Sequence, residues 1–137
     1  MRHSHTEIWT HLVVSTLGYK PIFKVEWTHT IKEAIENYLQ MIPDQQGNYC
    51  ILPDHIHFLV RLPHHMALND LVDEIKTLIA NKLKQKYKEA ATFQWEKDYH
   101  AHSVSLNRLS TEKSLIERQE IKHKEISLEE ELKFFGM

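Results

Sequence analysis

Apolar and polar positions alternate along this chain with two distinct periods, and the switches between them divide it into elements. "EIWTHLVVSTLG" is β-branched and apolar and stops at Gly18, which reads as a strand. Ile31, Ala34, Ile35, Tyr38, Leu39 and Ile42 then fall on one helical stripe, predicting a helix from near Thr28 to before Pro43. "GNYCILP" and "HIHFLVRLP" read as two strands joined by little more than Pro53-Asp54, a connection with turn chemistry. Leu71, Val72, Ile75, Leu78, Ile79, Leu83 and Tyr87 form a second helical stripe with Asn69 as its expected N-cap. "YHAHSVSLN" alternates as a fourth strand. Ser110 or Thr111 is placed to cap a third helix, and Ser127 with Glu130 makes a capping box for a short final one ending at Gly136.

The order β-α-β-β-α-β followed by helices predicts an α+β chain of ferredoxin-like type. Its four-stranded antiparallel sheet carries two helices on one face, with C-terminal helices added. Residues 1–137 read as a single domain, since this length supports one core and not two. With a period of two, Ile56, Phe58 and Val60 share the face turned to that core. His55, His57 and Leu59 share the other, which must be covered or used.

Composition narrows the function classes. A single cysteine, Cys50, permits no internal disulfide, and no apolar run approaches the roughly 18 residues of a membrane span, so a cytoplasmic location is expected. The formal net charge is −2, a poor match to a general nucleic-acid binder, so any basic surface must be local. Histidine-x-histidine pairs are cheap in a chain with 11 histidines: composition alone gives roughly one. Three occur, at His3/His5, His55/His57 and His100/His102, and by pattern alone each reads first as satisfied or solvated histidine.

Context changes the reading of the second pair. The stretch "LPDHIHFLVRLP" resembles the histidine-hydrophobic-histidine strand of single-tyrosine HUH transposases, the insertion-sequence-200-like family that includes REP-associated tyrosine transposases. "TEIWTHLVVST" resembles the family's first strand, "ALNDLVDEIKT" its second helix, "FQWEKDYHAHSVS" its tryptophan-led segment and fourth strand, and "LIERQEIKHKEISLEEEL" its terminal helix and tail. The resemblance implies a homodimer acting on hairpin and single-stranded DNA, with Mg²⁺ or Mn²⁺ polarising the scissile phosphate. Carried over by position, the ligands are His55, His57 and Gln119, with His123, one turn later on the same helix, a candidate fourth.

The nucleophile is where the chain departs from the family. A tyrosine is implied one helical turn before Gln119, and that position holds Leu115. Leucine cannot attack phosphorus, so a cleavage-deficient, degenerate site is expected. His100 and His102 read as solvated or DNA-facing, with extension of a metal cluster the alternative. Tyr99 reads as an aromatic at the edge of the core rather than a relocated nucleophile. For DNA, Arg61 closes the histidine strand, and Lys76, Lys82, Lys84 and Lys86, with Lys88, crowd "KTLIANKLKQKYKE". They read equally as phosphate-binding groups and as a solvated helix face. Three functions follow: a transposase-family DNA-binding protein that no longer cuts, a nuclease using another group or a metal-bound water, and a dimeric ferredoxin-like scaffold with a remnant histidine site and no DNA activity.

Overall fold

The computed structural model describes residues 5–43 and 45–118. Strands β1 (Trp9–Ser15), β2 (Asn48–Ile51), β3 (His55–Arg61) and β4 (His100–Val104) form one antiparallel sheet in the order β2-β3-β1-β4. Helices α1 (Val25–Gln40) and α2 (Leu68–Lys86) lie on one face, and α3 (Leu109–Glu117) lies on the other. This is the expected split-βαβ topology, with the added helix closing the second face. The Ser127–Glu130 capping box and the final helix lie outside the described residues.

The first face is uniformly apolar. Leu12 and Val14 of β1 and Ile56, Phe58 and Val60 of β3 meet Ile31 and Ile35 of α1 and Leu71, Ile75 and Ile79 of α2 in the main core. Phe58 is fully buried at the centre, a site where removing the side chain from water contributes roughly 2–3 kcal/mol. Polar ties hold the helices against one another and the sheet. The Tyr38 hydroxyl donates to Glu74 Oε2 across α1 and α2, and Tyr49 Oη donates to Glu36 Oε1 at 2.7 Å. Burial, together with each acidic partner, pushes both phenols well above their ordinary pKa.

The helix starts differ from expectation by two or three residues. α1 begins at Val25 rather than near Thr28, α2 at Leu68 with Ala67 rather than Asn69 at the N-cap, and α3 at Leu109 rather than after Ser110 or Thr111. The capping residues Lys24, Ala67 and Arg108 make no side-chain cap bond, so the polar residues that signal a start sit inside the first turn instead. For α3, a 3-10 turn over Leu106–Arg108 leads directly into the helix and sets its origin.

Between α2 and β4 the chain runs back over the sheet edge on aromatic contacts. Phe23, Phe93 and Trp95 cluster with ring centroids 4.9–5.8 Å apart, and Trp95 bridges Thr16. Tyr99 packs partly buried against the main core, as its sequence context suggests. Among the described residues, no helix is long and apolar enough to cross a membrane.

Candidate metal and nucleic-acid site

The second face of the sheet is half grease and half imidazole. Strand register puts Ser15 opposite His55, Val13 opposite His57, and His11 opposite both Leu59 on β3 and His102 on β4. Directly paired residues share a face, so His11, His55, His57 and His102 all project toward the α3 side. Leu59, Val104 and Ile116 form a small apolar core there with Trp9, Cys50 and Leu109 around it. Glu112 and Ile116, one turn apart on α3, are both buried: Ile116 faces the apolar half and Glu112 the histidines.

The histidines are joined into a chain of hydrogen bonds. His11 Nδ1 lies 2.7 Å from Glu112 Oε1, and its Nε2 lies 2.8 Å from His57 Nδ1. His102 Nε2 meets the same Glu112 oxygen at 2.8 Å, and His55 Nδ1 meets Asp54 Oδ1 at 2.5 Å. His11, His55 and His57 are fully buried, and the His55 and His57 rings stand 5.0 Å apart, centroid to centroid, nearly edge to face.

These contacts dictate tautomers. A carboxylate only accepts, so Asp54 requires a proton on His55 Nδ1, and Glu112 requires one on His11 Nδ1. With His11 neutral, its Nε2 accepts and His57 Nδ1 donates. In that state both members of the β3 pair carry a proton on Nδ1, as outer hydrogen-bond partners impose on metal-binding histidines. Burial pushes the Glu112 carboxyl up, but hydrogen bonds and charge from His11 and His102 outweigh it and hold it below the usual carboxylate range.

Gln119 and His123 lie outside the described residues. Leu115 is half-buried on α3 and lines a surface cavity of about 440 Å³ with His102, Val104, Arg108 and Glu112. His102 is therefore not a solvated histidine: α3 covers its strand and supplies a carboxylate to its ring. Arg61 sits at the far end of β3 with its guanidinium bonded to the carbonyl of Thr6. Lys76 Nζ donates to the carbonyl of Glu96 at 2.8 Å, tying α2 to the segment before β4. Its ammonium is desolvated enough to lower its pKa, although Asp73, Asp98 and Glu96 oppose that shift. Lys82, Lys84 and Lys86 are exposed at the C-terminal end of α2. Because α2 covers the opposite face of the sheet, these lysines and the histidines occupy different layers.

Sequence reasoning did not single out His11 or Glu112. Neither carries a local signal: one is a lone polar residue in an apolar strand, the other a glutamate in the first turn of a helix. Only the β1–β3 register and the docking of α3 join them to His57.

A family model described as transposase IS200 like matches residues 4–119. The chain belongs to this family. Solved structures share its fold. A REP-associated tyrosine transposase bound to a REP hairpin superposes with a TM-score of 0.66 at 15% identity, over 92% of this chain and 74% of that one. A protein of Deinococcus radiodurans R1 assigned as a transposase gives a TM-score of 0.59 at 17% identity, over 87% of this chain and 95% of the other. No curated protein matches in sequence. Within this IS200-like transposase, the buried pair His55 and His57 lies on the strand whose sequence carries the family resemblance.

Proposed function

We propose that this IS200-like transposase binds hairpin or single-stranded DNA and a divalent ion at His55 and His57, and no longer cuts by tyrosine chemistry. The observation that carries this reading is the pair of buried imidazoles on one face of β3, each held in orientation by a hydrogen bond at Nδ1, to Asp54 and to His11. Two imidazole nitrogens, joined by the Gln119 amide oxygen in the family arrangement, are a donor set suited to Mn²⁺ more than to Mg²⁺, which prefers oxygen ligands. A bound ion supplies Lewis-acid polarisation of a phosphate. The protein's own part is to hold the two rings at fixed tautomer and orientation, and to bring α3 over them.

At the position of the family's tyrosine, Leu115 presents an alkyl side chain beside the cavity. No covalent phosphotyrosine can form there. Phosphate binding falls to Lys82, Lys84 and Lys86, because Arg61 and Lys76 are engaged with main-chain carbonyls. A homodimer agrees with the family's way of working and would bring a second set of α2 lysines to a folded DNA substrate.

Fluorescence anisotropy with a labelled hairpin and a single strand, titrated across salt, tests this. The expected result is binding that weakens log-linearly with salt. Replacing Lys82, Lys84 and Lys86 together by Gln is expected to flatten the slope by about 2–3, at roughly 0.7–0.9 for each phosphate charge no longer neutralised. Failure to bind either DNA at about 50 mM salt would transfer the fold to the scaffold reading.

A further inference from the structure

We propose that His11, His102 and Glu112 form a second divalent-cation site that competes with the His55/His57 site through the shared proton of His11. The three side chains come from β1, β4 and α3, and their ligand atoms all lie within 4.8 Å of one another. Two nitrogens and a carboxylate are a complete protein set for a four-coordinate site with one position open. Zn²⁺ or Co²⁺ at roughly 2.0–2.2 Å from each ligand needs ligand separations of about 3.3 Å. The present contacts of 2.7 and 2.8 Å reach that by opening about half an ångström.

The site also has an approach. His11 is fully buried, but His102 keeps 28% of its side chain exposed and, with Glu112, lines the cavity that opens beside Leu115. An ion entering there meets His102 Nε2 and Glu112 first and His11 Nδ1 last. Water or an anion reaching the cavity would occupy the open position.

Competition follows from the tautomers. Ligation through His11 Nδ1 moves that ring's proton to Nε2, where it is donated to His57 Nδ1 at 2.8 Å. Neutral His57 must then carry its own proton on Nε2, and its lone pair no longer faces an ion. In the other direction, an ion on His57 Nε2 puts the His57 proton on Nδ1, sends the His11 proton to Nδ1, and closes that nitrogen against Glu112. Proton count does not change, because each ring only exchanges the nitrogen that bears its hydrogen. The His11 and His57 rings and the hydrogen bond between them separate the two positions, so the sites are coupled through the tautomers and not as the closely spaced pair of a two-metal centre.

Equilibrium dialysis and visible absorption with Co²⁺ as the probe, on the full chain, decide this. Wild type is expected to bind one ion per chain. His55→Ala should still bind one, with a spectrum altered by the His/His/Glu set, and the double variant His55→Ala/His102→Ala should bind none. Two ions in wild type would refute the competition. Zero ions in a folded His55→Ala protein, or one ion in the double variant, would refute the second site. Circular dichroism establishes folding, and Glu112→Gln in the His55→Ala background gives a shape-preserving check, expected to weaken Co²⁺ at least tenfold. If His102→Ala alone abolishes binding, the second site stands and the ion is removed from His55 and His57 instead.

Discussion

Glu112 is the carboxylate on which the histidine network closes, and removing it has a calculable consequence. Glu112→Ala deprives His11 and His102 of their common acceptor. Buried hydrogen bonds to a charged partner contribute about 1.5–3 kcal/mol each, and solvent-accessible ones less. The bond to fully buried His11 belongs mid-range, about 2 kcal/mol, and that to half-open His102 lower, about 1. A loss near 3 kcal/mol is therefore expected, which for a domain of this size lowers the melting temperature by about 9–15 °C. Glu112→Gln keeps the shape and one acceptor but loses the charge, and should cost about half as much. The pH dependence has a definite sign. The folded-state carboxyl titrates lower than in the unfolded chain, so its stabilisation is complete above the unfolded value of about 4.3 and disappears as pH falls through the lower folded value. Urea denaturation at pH 7 and again below about pH 4 should show the gap between wild type and Glu112→Gln closing in acid. A Glu112→Ala protein within about 1 kcal/mol of wild type at pH 7, or a gap indifferent to acid, would refute the idea that α3 is pinned to the sheet by this carboxylate.

Two further outcomes follow from the same geometry. Leu115→Tyr puts a phenol beside the His102–Glu112 cavity and should restore Mn²⁺-dependent nicking of a hairpin, seen as a protein–DNA adduct on a denaturing gel; a folded variant without adduct would mean that more than the nucleophile has been lost. Lys76→Ala should destabilise the fold by about 1–2 kcal/mol, through its bond to the Glu96 carbonyl, while leaving the salt slope of DNA binding unchanged. Lys84→Ala should do the opposite, and equal effects on both measurements from both variants would erase the distinction between the tying and the DNA-facing lysines.

Period was a reliable guide to the fold because it follows from burial. A two-residue alternation assigned Ile56, Phe58 and Val60 to the core and the histidines to the other face, and the sheet has that arrangement. Helix origins were less legible, since cap rules need side-chain bonds that Lys24, Ala67 and Arg108 do not make. The site was legible only along one strand. His55 and His57 stand out because they repeat within β3. His11 becomes their neighbour through strand order, and Glu112 through the docking of a helix more than 50 residues later in the chain, neither of which has a local pattern. Lys76 shows the converse: charge density marked it for DNA, but its position over the segment before β4 turns the ammonium toward carbonyls.

The two halves of the α3-covered face bear on the choice between a DNA-binding and a scaffold protein. Leu59, Val104 and Ile116, with Leu109 and Trp9, already give α3 an apolar seat on the sheet. Beside them the same interface buries three imidazoles completely and a carboxylate nearly so. Each of those groups loses hydration that its hydrogen bonds only partly restore, and a hydrophobic set of equal volume would hold the helix as well or better. Adhesion therefore does not explain the polar half. What it does provide is a set of rings held in fixed orientation by Asp54, His11 and Glu112. On the proposed reading Leu115 stands in the nucleophile's place, while Asp54, His11 and Glu112 still orient those rings. A scaffold has no use for that orientation, whereas ion binding depends on it.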